Sequence, residues 1–371
     1  MNWPQFIISA FISRRNILPL FQFRRKPRVI QLPITSRCNS RCVTCNVWKD
    51  REKIDVNPAV LVDVFKNKYF ERVQEVGING GEITLVPNFD EIIDSVLTLP
   101  KLRSLYLISN GLLPDKLLDL LERTKTKCEK RQVLLFITIS VDGVGEIHEL
   151  VRGIPKCFSR TKRLLDCLYT DKNRYADGAS IGCTLSQKNI PYIIQTESFL
   201  SEYSFPVQYH IAVPNKRIRT FDDAKDYYLV DDEYSRLLGA EFFYRKFTES
   251  SLCENKYFYF AQYYFLNNKG KGRLCPCQYR YQDVTIDENN KLYLCATASD
   301  EIGVLTNNSI EKIVKNKSLN NMQSQVNQYC DTCVHYMDNT PTPRGLLLFI
   351  YEILITRFNW VYKFKLLTKW R

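Results

Sequence analysis

Short apolar runs alternate with stretches of helical periodicity between Val29 and Val213. This alternation is typical of parallel strands joined by crossover helices. Six such units predict either a partial or complete barrel or an open doubly wound sheet, and both place functional residues at the carboxyl ends of strands. The six candidate strands are Val29 to Ile34, Glu75 to Gly80, Ser104 to Ser109, Val133 to Ser140, Ser180 to Leu185 and Val207 to Val213.

The pattern changes beyond the sixth run. Residues 216–271 are charged and aromatic without clear strands, which predicts a helical linker. Residues 272–340 contain five cysteines and the sequence DVTIDENNKLYLC, in which Asp287 to Asn290 form the predicted turn of a hairpin. We therefore expect residues 29–215 to form the strand-and-helix domain and residues 272–340 to form a second, small, cysteine-rich domain.

Composition and charge narrow the function classes. The chain has 371 residues, 45% of them apolar, but no run of eighteen apolar residues that could span a bilayer. Its formal charge of +12 favours an anionic partner, such as a nucleic acid, a membrane surface or a phosphorylated substrate, and we find no nucleic-acid-binding motif. The first residues, MNWPQFIISAFISRRN, lack the features of a secretory signal. We therefore expect a cytoplasmic protein, in which clustered cysteines are more often metal ligands than disulfides.

Three cysteines fall within eight positions directly after the first predicted strand: Cys38, Cys42 and Cys45. Thiolates with the spacing C-x3-C-x2-C can bind a [4Fe–4S] cluster, and three ligands leave one iron open to a substrate or cofactor. The alternatives are unrelated thiols on a loop, or a zinc site that takes a distant fourth ligand.

The segment from Val29 to Val213 resembles the radical S-adenosylmethionine (radical SAM) superfamily motif by motif. The resemblance implies an α/β fold, a partial (βα)6 TIM-like barrel, with Cys38, Cys42 and Cys45 as ligands of a [4Fe–4S] cluster. It also implies that the open iron binds S-adenosylmethionine, which is cleaved to methionine and a 5'-deoxyadenosyl radical that removes a hydrogen atom from substrate. The family commonly has an aromatic residue just before the third cysteine. Here that position is Thr44, and Trp48 is the candidate replacement near the adenine.

Candidate cofactor-binding residues follow the second and third predicted strands. Gly80 and Gly81 let the backbone approach a ligand closely, and the carboxylate of Glu82 can pair with the ammonium group of methionine. Ser109 and Asn110 can hydrogen-bond the ribose hydroxyls or the cofactor carboxylate. Taken in isolation, both motifs are also ordinary turn sequences.

The stretch SVDGVGEIHELVRG, residues 140–153, resembles a fourth-strand signature of the peptide-modifying and sulfatase-maturing branches of the superfamily. The resemblance makes Ser140, Asp142 and Arg152 candidates near the cofactor; the alternative for Arg152 is a surface ion pair. We expect His148 to be a packing residue, and Asn189 is a further candidate for ribose binding.

Four C-terminal cysteines form a complete ligand set for a second cluster: Cys277, Cys295, Cys330 and Cys333. Zinc ribbons use similar spacings, so zinc is the alternative metal. The pattern resembles the auxiliary-cluster extension called SPASM, or its shortened form called twitch, and the resemblance favours Cys277 over Cys275 as the first ligand. One auxiliary [4Fe–4S] cluster favours net oxidation or cross-linking of the substrate.

The two ends of the chain are aromatic, basic and amphipathic. Residues 1–28 and 341–371 suit helices that lie in a membrane interface, at the inner face of the membrane, or helices that dock on the barrel or on a partner. The expected enzyme is a radical SAM oxidoreductase that acts on a saccharide, a lipid-linked saccharide or a peptide, with a reductant such as flavodoxin or ferredoxin. The alternative from another class is a zinc- or cluster-binding protein without catalysis.

Overall fold

The structure, a computed structural model, describes residues 3–13, 16, 25–50, 52–295, 297–306, 308–314, 324, 326–335 and 339–358. Its centre is one sheet with an open edge at each end. The strands are β1 (Val29–Pro33), β2 (Glu75–Asn79), β3 (Ser104–Ser109), β4 (Leu134–Ser140), β5 (Gly178–Leu185), β6 (Val207–Ile211), β7 (Val284–Ile286), β8 (Lys291–Tyr293) and β9 (Glu301–Val304). They are ordered β6-β5-β4-β3-β2-β1-β7-β8-β9, and all neighbours from β6 to β7 are parallel. The predicted partial barrel is confirmed, and every predicted strand matches an observed one to within two residues at each end.

Helices cover the outer face of this sheet, and the helices at the two ends of the chain pack on other helices. The α-helices of the described residues are α1 (Trp3–Ile12), α2 (Pro58–Phe65), α3 (Phe89–Val96), α4 (Pro114–Lys130), α5 (Glu146–Arg152), α6 (Phe158–Tyr175), α7 (Ile193–Leu200), α8 (Glu233–Glu249), α9 (Cys253–Asn267), α10 (Ile310–Val314) and α11 (Pro343–Phe358). Alternate strand residues such as Leu105, Leu107 and Ile137 are buried against apolar side chains of α4 and α6. The other residues of each strand face the inner side of the barrel, because successive side chains of a strand point to opposite faces.

The hairpin of the cysteine-rich segment extends the barrel sheet. The predicted turn is confirmed: β7 and β8 are antiparallel, and Asp287 Oδ1 accepts hydrogen bonds from the backbone N–H groups of Asn289 and Lys291 at 2.9 and 2.8 Å. The sequence does not predict that β7 pairs in parallel with β1 or that β9 follows. Asp283 fixes this junction, since its Oδ1 accepts from the backbone N–H groups of Arg28 and Val29, each at 2.9 Å.

The segment predicted as a helical linker is helical and closely packed. Helix α8 begins after Asp232, whose carboxylate accepts from the N–H of Ser235 at 2.8 Å as an N-cap. Phe242 and Phe243 of α8 and Phe265 of α9 form one apolar cluster with residues of β5 and β6. The two helices therefore cover the last strands of the barrel. None of the helices within the described residues is both long enough and apolar enough to cross a membrane.

Candidate functional site

The loop after β1 brings the three predicted ligands together. Burial, with a smaller contribution from the neighbouring Cys42, raises the pKa of Cys38 to about 12 and that of Cys45 to about 11. Such coupling requires that the three sulfurs lie close to one another. Because burial disfavours thiolates, the charged form of these side chains needs bound cations, as it has when cysteines ligate a metal. We call residues 37–46 the cysteine loop.

The Gly-Gly-Glu segment presses against the start of the cysteine loop. The N–H groups of Gly81 and Glu82 donate to the carbonyls of Thr35 and Arg37, each at 2.7 Å. A Cβ atom at Gly81 would lie 1.9 Å from the carbonyl oxygen of Arg37, which is a severe overlap. Thus the close backbone approach that these glycines permit is an approach to the cysteine loop. A role in cofactor binding stays a prediction.

The end of α5 holds the middle of the cysteine loop. The N–H of Arg41 donates to the carbonyl of Arg152 at 2.8 Å, and the N–H of Val43 donates to that of Val151 at 3.0 Å. Gly153 ends the helix with φ of +66°, and a Cβ there would lie 2.3 Å from the carbonyl oxygen of Arg41. Glycine is required both by the left-handed conformation and by this contact.

Glu82 is buried at the centre of a hydrogen-bond network. Its Oε1 accepts from the hydroxyl of Ser109 at 2.8 Å and from both the N–H and the hydroxyl of Thr84, at 3.2 and 2.9 Å. Its Oε2 accepts from the N–H of Asn110 at 2.8 Å. Burial raises the pKa of Glu82, while these donors act to lower it. The sequence predicts a methionine ammonium as the partner, and the structure adds four protein donors.

Asn110 connects this network to the cysteine loop. Its side-chain amide donates to Asn39 Oδ1 at 2.8 Å and to the hydroxyl of Ser40 at 2.9 Å. The N–H of Ser40 in turn donates to the sulfur of Cys38 at 3.4 Å. The sequence identified Asn110 as a cofactor candidate and gave no sign of this contact, because it joins residues 70 or more positions apart.

Asp142 and Arg152 form a buried ion pair at the same mouth of the barrel. Arg152 Nη2 lies 2.7 Å from Asp142 Oδ2, and Arg152 Nη1 lies 3.6 Å from the sulfur of Cys42. The alternative of a surface ion pair is wrong, since the side chains are only 11% and 3% exposed. Burial works against the charged guanidinium, but Asp142 and then Cys42 raise the pKa of Arg152 above its ordinary value.

Three neighbours fix Asp142 in this position. Its Oδ1 accepts from the N–H of Thr184 at 2.8 Å, and its own N–H donates to Nδ1 of His148 at 3.2 Å. Asn189 donates to the carbonyl of Asp142 at 2.8 Å and accepts from the N–H of Ser186. His148 is buried and packs edge-on against Phe158, which agrees with the predicted packing role. Burial lowers the pKa of His148 to about 3, so the ring is neutral.

Several buried polar atoms around this mouth have no hydrogen-bond partner among the described residues. They include Nε of Arg152, Nε1 of Trp48 and Oδ1 of Asn79, which directly precedes Gly80. A buried polar group without a partner is costly, and a bound ligand is one way to satisfy it. Three adjoining cysteines, a guanidinium beside one sulfur and these unsatisfied atoms fit an iron–sulfur cluster with a polar cofactor beside it.

Residues 32–169 match the family described as the Radical SAM superfamily, and this range contains the cysteine loop, Glu82 and the Asp142–Arg152 pair. This part of the chain is similar to radical SAM domains. No curated protein matches the sequence.

Solved structures of similar fold extend this comparison beyond residues 32–169. Native anSMEcpe with bound AdoMet and Cp18Cys peptide has a TM-score of 0.57 and 16% identity, over 90% of this chain and 98% of that chain. Streptococcus suis SuiB bound to precursor peptide SuiA has a TM-score of 0.51 and 16% identity, over 75% of this chain and 61% of that chain. At these identities the likeness shows the fold alone.

The inner wall of the barrel combines aromatic rings with amide and hydroxyl groups. Tyr106 and Phe136, on paired positions of β3 and β4, stack with ring centroids 4.8 Å apart. The wall residues, which alternate with core residues along their strands, are Gln31, Asn79, Tyr106, Ile108, Phe136, Thr138, Ser140, Ser180, Gln208 and His210.

The four C-terminal cysteines line one cavity beyond the barrel sheet. Cys277, Cys295, Cys330 and Cys333 all contribute to its wall. Cys275 is buried instead in an apolar cluster with Tyr257 and Phe349. The structure therefore places Cys277, and not Cys275, with the other three.

A half-buried arginine that sequence reasoning missed supports this cavity. Arg273 donates to the carbonyl oxygens of Cys275 at 2.7 Å, Cys333 at 2.8 Å and His335 at 2.9 Å. Burial works against its charge, but the surrounding cysteines raise its pKa. Arg273 thus fixes the chain on both sides of the cavity and supplies a positive charge beside four sulfurs.

Among the described side chains, no group of three or more His, Cys, Asp or Glu is spaced to hold a metal ion. Cys277, Cys295, Cys330 and Cys333 nevertheless present four thiols around one cavity, the number that either a [4Fe–4S] cluster or a structural zinc ion takes.

Proposed function

We propose that the chain is a radical SAM enzyme whose catalytic cluster is held by Cys38, Cys42 and Cys45. The observation that supports this most strongly is the position of these cysteines on a loop that Gly81, Glu82 and the backbone of Arg152 hold from both sides. A loop fixed in this way presents three sulfurs in a constant geometry, which is what a cluster with one open iron requires.

The proposed radical chemistry depends on an iron–sulfur cluster and on S-adenosylmethionine. When bound, a [4Fe–4S] cluster with one open iron supplies the electron that cleaves S-adenosylmethionine to methionine and a 5'-deoxyadenosyl radical. Ser40 and Arg152 donate N–H groups to the sulfurs of Cys38 and Cys42, and such hydrogen bonds set the reduction potential of a cluster. The remaining candidate cofactor contacts are Gly80, Gly81, Glu82, Ser109, Asn110, Ser140, Asp142 and Arg152.

We assign Cys277, Cys295, Cys330 and Cys333 as the ligands of one auxiliary [4Fe–4S] cluster in a SPASM- or twitch-like segment. Their common cavity and the adjacent charge of Arg273 support this assignment. A fully ligated second cluster is suited to accept an electron from a substrate radical, so we propose that the enzyme is an oxidoreductase. Flavodoxin or ferredoxin is the proposed reductant, and the cytoplasm is the proposed location.

The proposed substrate carries an uncharged, hydroxyl-rich or amide-rich group. An aromatic pair next to amides and hydroxyls suits the faces and hydroxyls of a saccharide, including a lipid-linked one. A peptide is the second candidate, because structures of similar fold were solved with the Cp18Cys peptide and with the precursor peptide SuiA.

Anaerobic reconstitution tests the assignment. Iron and sulfide analysis should give about eight of each per chain, as two four-iron clusters. The Cys38→Ala, Cys42→Ala, Cys45→Ala triple variant should lose half of the iron and half of the sulfide. It should keep the electron paramagnetic resonance signal of the cluster at the C-terminal cysteines. Zinc without iron in the wild type would contradict the proposal and favour a binding protein without radical chemistry.

A further inference from the structure

The two ends of the chain lie together on the surface of the protein. Trp3 at the start of α1 stacks on Phe349 of α11 with ring centroids 6.0 Å apart. Asn16, just beyond α1, donates to the carbonyl of Pro341, just before α11, at 2.8 Å. The two helices are therefore antiparallel neighbours. Phe6, Ala10, Leu346 and Phe349 anchor them in an apolar cluster with α8 and α9.

Both helices also expose large apolar side chains on the side that faces away from this cluster. Half of the ten residues of α1 are of this kind, namely Trp3, Ile7, Ile8, Phe11 and Ile12. Helix α11 adds Leu347, Tyr351 and Leu354, and Leu347 is 70% exposed. We call these eight side chains the terminal apolar patch. Soluble proteins rarely leave a contiguous patch of this kind without a partner.

The same two segments hold nearly all of the protein's net charge. Residues 1–28 contain six Lys or Arg and no acidic residue, and residues 341–371 contain six Lys or Arg and one acidic residue, Glu352. They account for +11 of the formal charge of +12, so residues 29–340 are close to neutral. Glu352 is half-buried and raises the pKa values of Tyr244 and Tyr263, so it faces the body of the protein.

The combination of charge and apolar exposure identifies the partner. A second copy of the chain would bring together two surfaces that each carry a formal charge of +11, and electrostatic repulsion opposes this. A nucleic acid would leave the apolar side chains without a favourable environment, because α1 contains no charged residue at all. An anionic lipid surface satisfies both properties, since apolar and aromatic side chains enter the interface and basic residues attract the headgroups.

We propose that α1 and α11 form one docking platform by which the enzyme lies on anionic membranes. The platform is built from both ends of the chain and is separate from the cysteine loop, so the inference does not depend on the proposed function. The sequence presents membrane contact and docking on the protein body as alternatives. The two are compatible, because each helix packs on the protein with one side and exposes apolar residues on the other.

Co-sedimentation of the full-length protein with vesicles tests the proposal. We expect binding to vesicles that contain phosphatidylglycerol, little binding to phosphatidylcholine alone, and release at high salt. The Ile8→Gln, Phe11→Gln, Leu347→Gln triple variant should lower the partition coefficient by about tenfold or more, because three apolar groups no longer enter the interface. A matched control with three exposed apolar residues elsewhere, Ile194→Gln, Tyr234→Gln and Tyr169→Gln, should bind like the wild type.

A second variant separates charge from apolar contact. Lys363→Gln, Lys365→Gln and Lys369→Gln together should weaken binding on the order of 100-fold, from about 1 kcal/mol for each basic residue near an anionic surface. Replacing the exposed Lys116, Lys188 and Lys312 by Gln should leave vesicle binding unchanged.

Quenching of tryptophan fluorescence by brominated lipid gives a readout on the unmodified protein, and it should be strong with anionic vesicles. No quenching, equal binding to neutral vesicles, or unchanged sedimentation of the apolar variant would each overturn the proposal. Reversible dimers that the same variant abolishes, without vesicle binding, would assign the patch to a second copy instead.

Discussion

The guanidinium of Arg152 lies 3.6 Å from the sulfur of Cys42, across 110 residues of sequence. The same group pairs with Asp142 at 2.7 Å, and the backbone carbonyl of Arg152 accepts from the N–H of Arg41. One residue therefore connects the end of the fourth strand, the short helix that follows and the cysteine loop. The loop geometry depends on this contact as much as on the loop sequence itself.

Replacing Arg152 should damage both stability and redox properties. Arg152→Met leaves Asp142 buried without its partner, which should cost about 3–5 kcal/mol in the free energy of unfolding. Loss of an N–H donor near Cys42 should also lower the reduction potential of the cluster, because such donors stabilise its more negative reduced form. Chemical denaturation and a potentiometric titration followed by electron paramagnetic resonance measure the two effects.

The exposed pair of Arg163 and Asp115 provides the control. Arg163→Met should change the free energy of unfolding by about 0–1 kcal/mol and leave the potential unchanged. An unchanged potential in Arg152→Met would mean that the residue acts only on folding.

Gly81→Ala should displace the cysteine loop. The added methyl group would overlap the carbonyl oxygen of Arg37, at 1.9 Å, and backbone cannot move away as a flexible side chain can. We expect a loss of about four irons per chain, the content of one cluster, with the other cluster retained. Iron analysis after anaerobic reconstitution measures this.

Gly145→Ala is the control, since no atom lies within 4 Å of a Cβ added there; its φ of +56° adds a backbone strain that Gly81→Ala does not have. It should cost about 1–3 kcal/mol of stability from backbone conformation and keep all its iron. Full iron content in Gly81→Ala would contradict the role given to this contact.

Cys277→Ala and Cys275→Ala should differ in iron content although their side chains are two positions apart. Cys277 lines the cavity with the other three cysteines, whereas Cys275 packs among apolar residues. The first variant should lose about four irons, and the second should keep them and lose only packing energy. The reverse result would show that the ligand set is assigned wrongly.

Arg273→Met should destabilise the C-terminal cysteine cavity. The substitution removes the donor that the carbonyl oxygens of Cys275, Cys333 and His335 share. Each buried carbonyl left without a donor lowers the free energy of unfolding by about 1–3 kcal/mol. We expect a lower melting temperature and loss of the second cluster before the first. Arg273→Lys should rescue little, because an ammonium group cannot reach three carbonyls in the fork geometry of a guanidinium. Iron retention in both variants would contradict this role.

The sequence predicted the parts of the fold that depend on local pattern. The six parallel strands follow from short apolar runs that alternate with helical stretches, and the preference for Cys277 over Cys275 follows from the resemblance to the SPASM pattern. It did not predict the pairing of β7 with β1, because strand pairing across 250 residues leaves no local signal. The contacts of Asn110 with Ser40 and of Arg273 with Cys333 were missed for the same reason.

The ends of the chain show a further limit. The sequence identifies amphipathic helices with apolar faces, but an apolar face can pack on protein or meet a membrane. Only the structure shows that Phe6 and Phe349 are buried while Phe11 and Leu347 are exposed. Residues 359–371, which complete the predicted apolar face of the tail, lie outside the described residues.

Formation of 5'-deoxyadenosine tests the central claim most directly. The reconstituted wild type, supplied anaerobically with dithionite and S-adenosylmethionine, should produce 5'-deoxyadenosine and methionine in equal amounts, as measured by liquid chromatography and mass spectrometry. The Cys38→Ala, Cys42→Ala, Cys45→Ala variant should produce neither, although it keeps the second cluster. Equal production of 5'-deoxyadenosine by this variant, or none by a wild type with both clusters present, would contradict the assignment of the cysteine loop.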